Sequence, residues 1–204
     1  MYGGSWQEGA GAVFAENQAL RWLSDLAGLP ESAGGVFVQG GTIGNLSALV
    51  TAREDARAKF PDVTKWAIAC SAEAHSSIAT AAKIMDVELV KIAPREDLRI
   101  HGEDIAAAID QYHSTHTGRI CAVVATSGTT NLGVIDDLVG AAKAAHDRNI
   151  WFHVDGAYGL AGLCAPSVRA DFNGVELCDS FIVDPHKWLF APYDACALVY
   201  RNPH

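Results

Sequence analysis

Lys187 follows the apolar run Ser180-Phe181-Ile182-Val183 within the segment Asp179-Ser180-Phe181-Ile182-Val183-Asp184-Pro185-His186-Lys187-Trp188. A lysine taken out of water loses basicity and becomes an amine nucleophile that can form a Schiff base with a carbonyl. Taken alone, the run also fits a lysine that snorkels to the surface. Four other clusters share its position, just beyond an apolar run. Gly40-Gly41-Thr42-Ile43-Gly44-Asn45 is a glycine turn opening a helix, suited to an anion through free N–H groups and the positive helix end, or a tight turn with Thr42 as N-cap. Ser71-Ala72-Glu73-Ala74-His75-Ser76-Ser77 puts an imidazole at a helix entrance, as a flat stacking surface or as a cap. Ala125-Thr126-Ser127-Gly128-Thr129-Thr130 offers hydroxyls to a ligand or to its own loop. Trp151-Phe152-His153-Val154-Asp155-Gly156-Ala157 carries a carboxylate to the end of a strand, where burial demands a donor or cationic partner. Its His-x-Asp spacing could suit a metal, but no second pair at ligand spacing supports one, and His113-Ser114-Thr115-His116 reads as a solvated loop.

The elements that must position these groups alternate in type. Residues 12–28 carry Val13, Leu20, Leu23, Leu26 and Ala27 at helical spacing and stop at Gly28 and Pro30. Strand and helix then alternate: 35–39 with 43–59, 65–70 with 76–85, 87–92 with 103–112, and 120–125 with 136–148. Strands at 150–154, 180–183 and 195–200 follow. The βα repetition implies an α/β fold with a mostly parallel sheet and helices on both faces. Only residues 184–194 separate the last two strands, a span suited to an antiparallel pair at an edge. In open α/β sheets ligands bind beyond the carboxyl ends of the strands, where all five clusters fall.

Composition narrows the classes of partner. With 204 residues, 50% hydrophobic and 19% charged, the chain suits one globular domain or most of one. A net charge of -9 and the lack of any Lys/Arg cluster argue against nucleic acid or an anionic membrane, leaving small molecules. No apolar run reaches the roughly 18 residues of a membrane span, and Met1-Tyr2-Gly3-Gly4 lacks the basic and apolar regions of a signal peptide, so the chain reads as cytoplasmic. The five cysteines are widely spaced without C-x-x-C, four of them in apolar surroundings, as expected of reduced core thiols. The abrupt glycine-rich start and the end just after a strand read as a piece of something longer.

One cofactor uses all five clusters together, pyridoxal 5′-phosphate. Its phosphate needs an anion cradle, its ring nitrogen a carboxylate, its ring face a stacking partner and its aldehyde a lysine. On these motifs the chain resembles the group II pyridoxal-phosphate-dependent amino-acid decarboxylases, from Glu16-Asn17-Gln18 through Arg201, with His-Val-Asp and Asp-Pro-His-Lys-Trp as the most specific matches. The resemblance implies the central part of the large domain of a fold-type I enzyme, without its N-terminal segment and C-terminal small domain. It implies Lys187 as the Schiff-base lysine, Asp155 as partner of the pyridine nitrogen and His75 as the stacking histidine that also touches substrate. Gly41 and Thr42 match the phosphate loop, Thr130 a cofactor-contacting threonine, and Ala157 the residue on the ring face opposite His75. His186 and Asp184 fall beside the phosphate end. Asp184 stands where animal members commonly have asparagine, and a negative charge near a phosphate is unfavourable, so its side chain is expected to turn away or find another partner. Two more departures are Ile43-Gly44 in place of Glu-Ala and Gly156 in place of Ala. The implied activity is decarboxylation of an L-amino acid to an amine by a cytoplasmic homodimer. Transamination, a carbon–carbon lyase reaction and an inactive truncated chain are the alternatives.

Overall fold

The computed structural model describes residues 6–203. The Met1–Gly4 stretch read above for targeting signals lies outside them. Seven strands form one sheet in the order β1-β7-β6-β5-β4-β2-β3. They are β1 (Gly34–Val38), β2 (Trp66–Ser71), β3 (Glu88–Ile92), β4 (Arg119–Thr126), β5 (Trp151–Asp155), β6 (Ser180–Val183) and β7 (Cys196–Tyr200). The helices are α1 (Trp6–Leu26), α2 (Gly40–Lys59), α3 (Ser76–Met85), α4 (Gly102–Thr115), α5 (Leu138–His146) and the short α6 (Pro185–Trp188). Strands β3, β2, β4, β5 and β6 pair in parallel, while β7 runs antiparallel to both β6 and β1.

The expected edge is corrected here. Strands β6 and β7 do form an antiparallel pair, because the connection between them is too short for a parallel crossover. The edge itself is β1, which pairs with β7 along its full length from Gly34↔Tyr200 to Val38↔Cys196. The expected solvated loop around His113 is also corrected. Residues His113 to Thr115 form the last turn of α4, anchored by Tyr112, which is buried.

Alternation along the strands divides the core. Phe152, Val154, Phe181 and Val183 face the layer that includes α1, α4 and α5. Trp66, Ile68, Cys70, Ala122 and Val124 face α2 and α3. With a side-chain period of two, His153 and Asp155 share the α2 side of β5. Four cysteines (Cys70, Cys121, Cys178 and Cys196) are buried and Cys164 is exposed, all of them free thiols. Among the described residues no helix is long and apolar enough to cross a membrane.

Candidate active site

The carboxyl ends of β2, β4, β5 and β6 open onto one cleft, where ligands of open α/β sheets bind. Lys187 and Asp155 both line this single cleft. Each strand delivers a polar residue where its apolar run ends. Asp155 closes β5 opposite Thr126 of β4, and Asp184 follows Val183 directly. Pro185 then opens the one-turn helix α6, and that turn carries Lys187 back over the cleft.

The glycine turn forms the floor near α2. The helix begins at Gly40, with Gln39 as N-cap and no side-chain cap, so Thr42 lies in the first turn rather than capping it. The first N–H groups of a 20-residue helix are therefore free to meet an anion. Gly40 adopts φ 80°, the left-handed region that glycine enters without a Cβ clash. A Cβ on Gly41 would come within 3.2 Å of both the Ala157 methyl and an Asp184 oxygen, so the cradle stays open because that residue has none. Gly156, where the family resemblance led us to note a departure, is explained in the same way. A Cβ there would lie 2.4 Å from that of Leu160 and 2.9 Å from the Ile182 carbonyl.

Asp155 is 5% exposed and is held on both oxygens. Asn45 Nδ2 donates to Oδ2 at 2.9 Å and the Ala157 N–H donates to Oδ1 at 3.2 Å. Burial pushes its carboxyl above the ordinary range. The Asn45 and Ala157 donors oppose that rise, with a smaller contribution from the charge of Lys187. His75 is the N-cap of α3, its Nδ1 accepting the Ser77 N–H at 3.2 Å. Capping and cleft-lining, two readings open from the sequence, are here the same residue's two edges. Thr130 and Ala157 also line the cleft.

Asp184 is 2% exposed. It has found the other partner its charge required, since Lys187 Nζ lies 2.9 Å from Oδ2. The side chain of Lys187 is 35% exposed and reaches both the carboxylate and the cleft. His186 takes a different place from the other eight residues singled out by sequence. It does not line the cleft, and its Nδ1 meets the Ala195 backbone, 2.6 Å from the carbonyl oxygen and 3.2 Å from the N–H, bracing the start of β7.

Sequence reasoning gave no individual role to Asn45, Glu73, Thr126 and Thr129 within its clusters and missed Tyr158; all five line the same cleft. Asn45 left a signal: it is a polar residue, 1% exposed, on the buried stripe of α2 with Ala48, Leu49 and Ala52. His153, weighed as a metal ligand, is instead fully buried beneath Asp155, and burial lowers its basicity to about 4.

The residues present fit pyridoxal phosphate. Two buried oxygens of cleft-lining residues, Thr126 Oγ1 and Asp184 Oδ1, have no hydrogen-bond partner among the described residues. Buried polar atoms are rarely left so, and a polar ligand would supply what they lack. An amine, a buried acid, an imidazole and an uncapped helix start around one cavity match the functional groups of that cofactor.

Comparison with known proteins agrees. Residues 4–204 match the profile of the pyridoxal-dependent decarboxylase conserved domain. The chain is 35% identical over 202 residues to an aromatic-L-amino-acid decarboxylase of Bacillus atrophaeus, covering 97% of this chain and 41% of that protein. It is 39% identical over 203 residues to an L-2,4-diaminobutyrate decarboxylase of Rhizobium meliloti (strain 1021), covering 97% of this chain and 40% of that protein. The crystal structure of Oryza sativa TDC with PLP and tryptamine superposes with a TM-score of 0.91 at 26% identity, over 98% of this chain and 44% of that one. The chain thus spans about two fifths of the length of the curated relatives it matches.

Proposed function

The chain belongs to the pyridoxal-dependent decarboxylase family, and from that premise we propose that it forms the central part of the cofactor-binding domain of an enzyme that converts an L-amino acid to an amine and CO2. The observation that carries the reading is that Lys187, Asp155 and the Gly41 turn border one cleft. Bound pyridoxal phosphate supplies an aldehyde for amines and a protonated ring that accepts the electron pair of a broken Cα bond.

This chain's residues then have distinct tasks. The α2 start, with Gly41 and Thr42, would bind the phosphate through backbone N–H groups and a hydroxyl. Asp155, fixed by its two donors, would hold a proton at the ring nitrogen. His75, Ala157 and Thr130 line the same cleft and would hold the ring there. Lys187 would offer its amine to the aldehyde, and Asp184, 2.9 Å away, holds that amine in place. His186 contributes through the Ala195 backbone that it braces.

The same reading makes the working unit a homodimer acting in the cytoplasm on a small amino acid, with neither nucleic acid nor membrane as partner. The net charge of -9 and the lack of basic clusters support that choice. The test is product analysis of the intact protein, supplied with pyridoxal phosphate and carboxyl-labelled L-amino acids. Labelled CO2 and the matching amine in equal amounts are expected. A keto acid with the label retained would instead establish transamination.

A further inference from the structure

A row of buried polar side chains runs beneath the cleft and ends on Asp155. Trp151 Nε1 lies 2.9 Å from Ser180 Oγ, and Ser180 Oγ lies 2.8 Å from His153 Nδ1. His153 Nε2 lies 2.9 Å from Asn45 Oδ1. The Asn45 amide nitrogen is 2.9 Å from both Asp155 Oδ2 and Ser77 Oγ. Ser77 Oγ in turn lies 2.9 Å from His75 Nδ1. Asn45, Ser77, His153, Asp155 and Ser180 are all between 0 and 5% exposed. Of these residues the proposed function uses only His75 and Asp155.

Heavy-atom distances leave the direction of each bond open, but the chemistry of the ends decides it. An indole N–H only donates, so Ser180 accepts from Trp151 and keeps its own hydrogen for His153 Nδ1. Neutral His153 then carries its proton on Nε2 and donates to the Asn45 carbonyl. Both amide hydrogens of Asn45 remain, one for Asp155 and one for Ser77. The Ser77 backbone N–H, 3.2 Å from His75 Nδ1, requires that nitrogen to be an acceptor as well. Running the row backwards would require a protonated Asp155 donating to a flipped Asn45. Ser180 would then receive two donors while its own hydrogen had no acceptor among the described residues. Only the forward direction satisfies every member.

We propose that Trp151, Ser180, His153 and Asn45 form a one-way hydrogen-bond chain that fixes which protons face the cleft, keeping Asp155 Oδ2 an acceptor and leaving the single proton of His75 on Nε2. Asn45 and His153 are thereby positioning residues, acting through Asp155. Burial keeps His153 neutral, which such a chain requires, since an imidazolium would have no lone pair for Ser180. The inference deepens the cofactor reading and rests on it for its consequence, while the proton directions stand on the geometry of the protein alone.

Solid-state NMR of the intact protein, labelled with ¹⁵N-histidine and free of cofactor, reads each tautomer directly, and the His75→Gln and His153→Gln variants assign the two signals. Both histidines are expected in the Nε2–H form. His153 in the Nδ1–H or doubly protonated form would overturn the proposal. Asn45→Asp keeps the size of the side chain but replaces the donor facing Asp155 with an acceptor. It is expected to weaken pyridoxal phosphate binding at least tenfold in a titration followed by absorbance. A folded Asn45→Asp protein that binds as tightly as the parent would also overturn it. If the variant fails to fold, the parent's tautomers still decide. A parent with both tautomers as stated that takes up no pyridoxal phosphate upholds the chain and removes the cofactor reading instead.

Discussion

Asp155 and Asp184 stand at the ends of neighbouring parallel strands, border the same cleft and are held in opposite ways. Asp155 receives a fixed donor on each oxygen, from the α2 amide and from its own chain. Asp184 engages a flexible lysine through Oδ2, while its Oδ1 has no partner among the described residues. The first carboxylate is preorganised, with its supporting groups packed before any ligand arrives. The second is part of a polar group that a ligand completes. The difference fits the chemistry proposed for each, since a ring nitrogen needs a permanent partner whereas the lysine must exchange one partner for another.

Two substitutions on the preorganised side would break or sharpen this contrast. The largest effect is expected from Asp155→Asn, which keeps the size of the side chain and can still accept from Asn45. It should bind pyridoxal phosphate yet lose about a hundred- to thousandfold in turnover, because no charge remains to hold the proton at the ring nitrogen. Turnover near the parent rate, measured in the same CO2 assay, would remove Asp155 from its role and dissolve the contrast.

A smaller effect concerns the layer beneath. His153 titrates near 6.5 when exposed and near 4 when folded, because burial disfavours its charged form. Between these values the unfolded chain binds the extra proton, so the stability present above pH 6.5 is lost as pH falls towards 4. The loss is of order 3 kcal/mol at this site. Denaturant titrations at pH 7 and pH 4 should show the parent losing that much more than His153→Gln. Parallel losses would mean that His153 is not held neutral, and the rigid support under Asp155 would need another explanation.

The sequence makes the strand ends legible and leaves the connections between their side chains hidden. Asp155, His75 and Lys187 could be singled out because each follows a run whose hydrophobicity marks a buried strand, and the Gly41 turn because paired glycines precede a helix. Residues 76–85 were located as a helix to the residue because its apolar spacing and polar entrance agree. The place of β1 was not legible, since strand order is set by which edge remains free once β6 and β7 have paired, and no local pattern records that. Nor was the small scale of the structure between residues 159 and 177, three short 3-10 turns without enough length to show a period. Asn45 escaped because its partners Asp155 and His153 lie 110 and 108 residues away. A buried amide becomes meaningful only when the fold supplies them.

The central claim is that Lys187 and Asp155 serve the same cofactor. Reduction of the pyridoxal-phosphate-loaded intact protein with borohydride, followed by peptide mapping, tests the lysine's part in it most directly. The account expects the reduced phosphopyridoxyl group on the peptide containing Lys187, and no labelled peptide from Lys187→Ala. A label on another lysine, or one that survives in the Lys187→Ala protein, would contradict it.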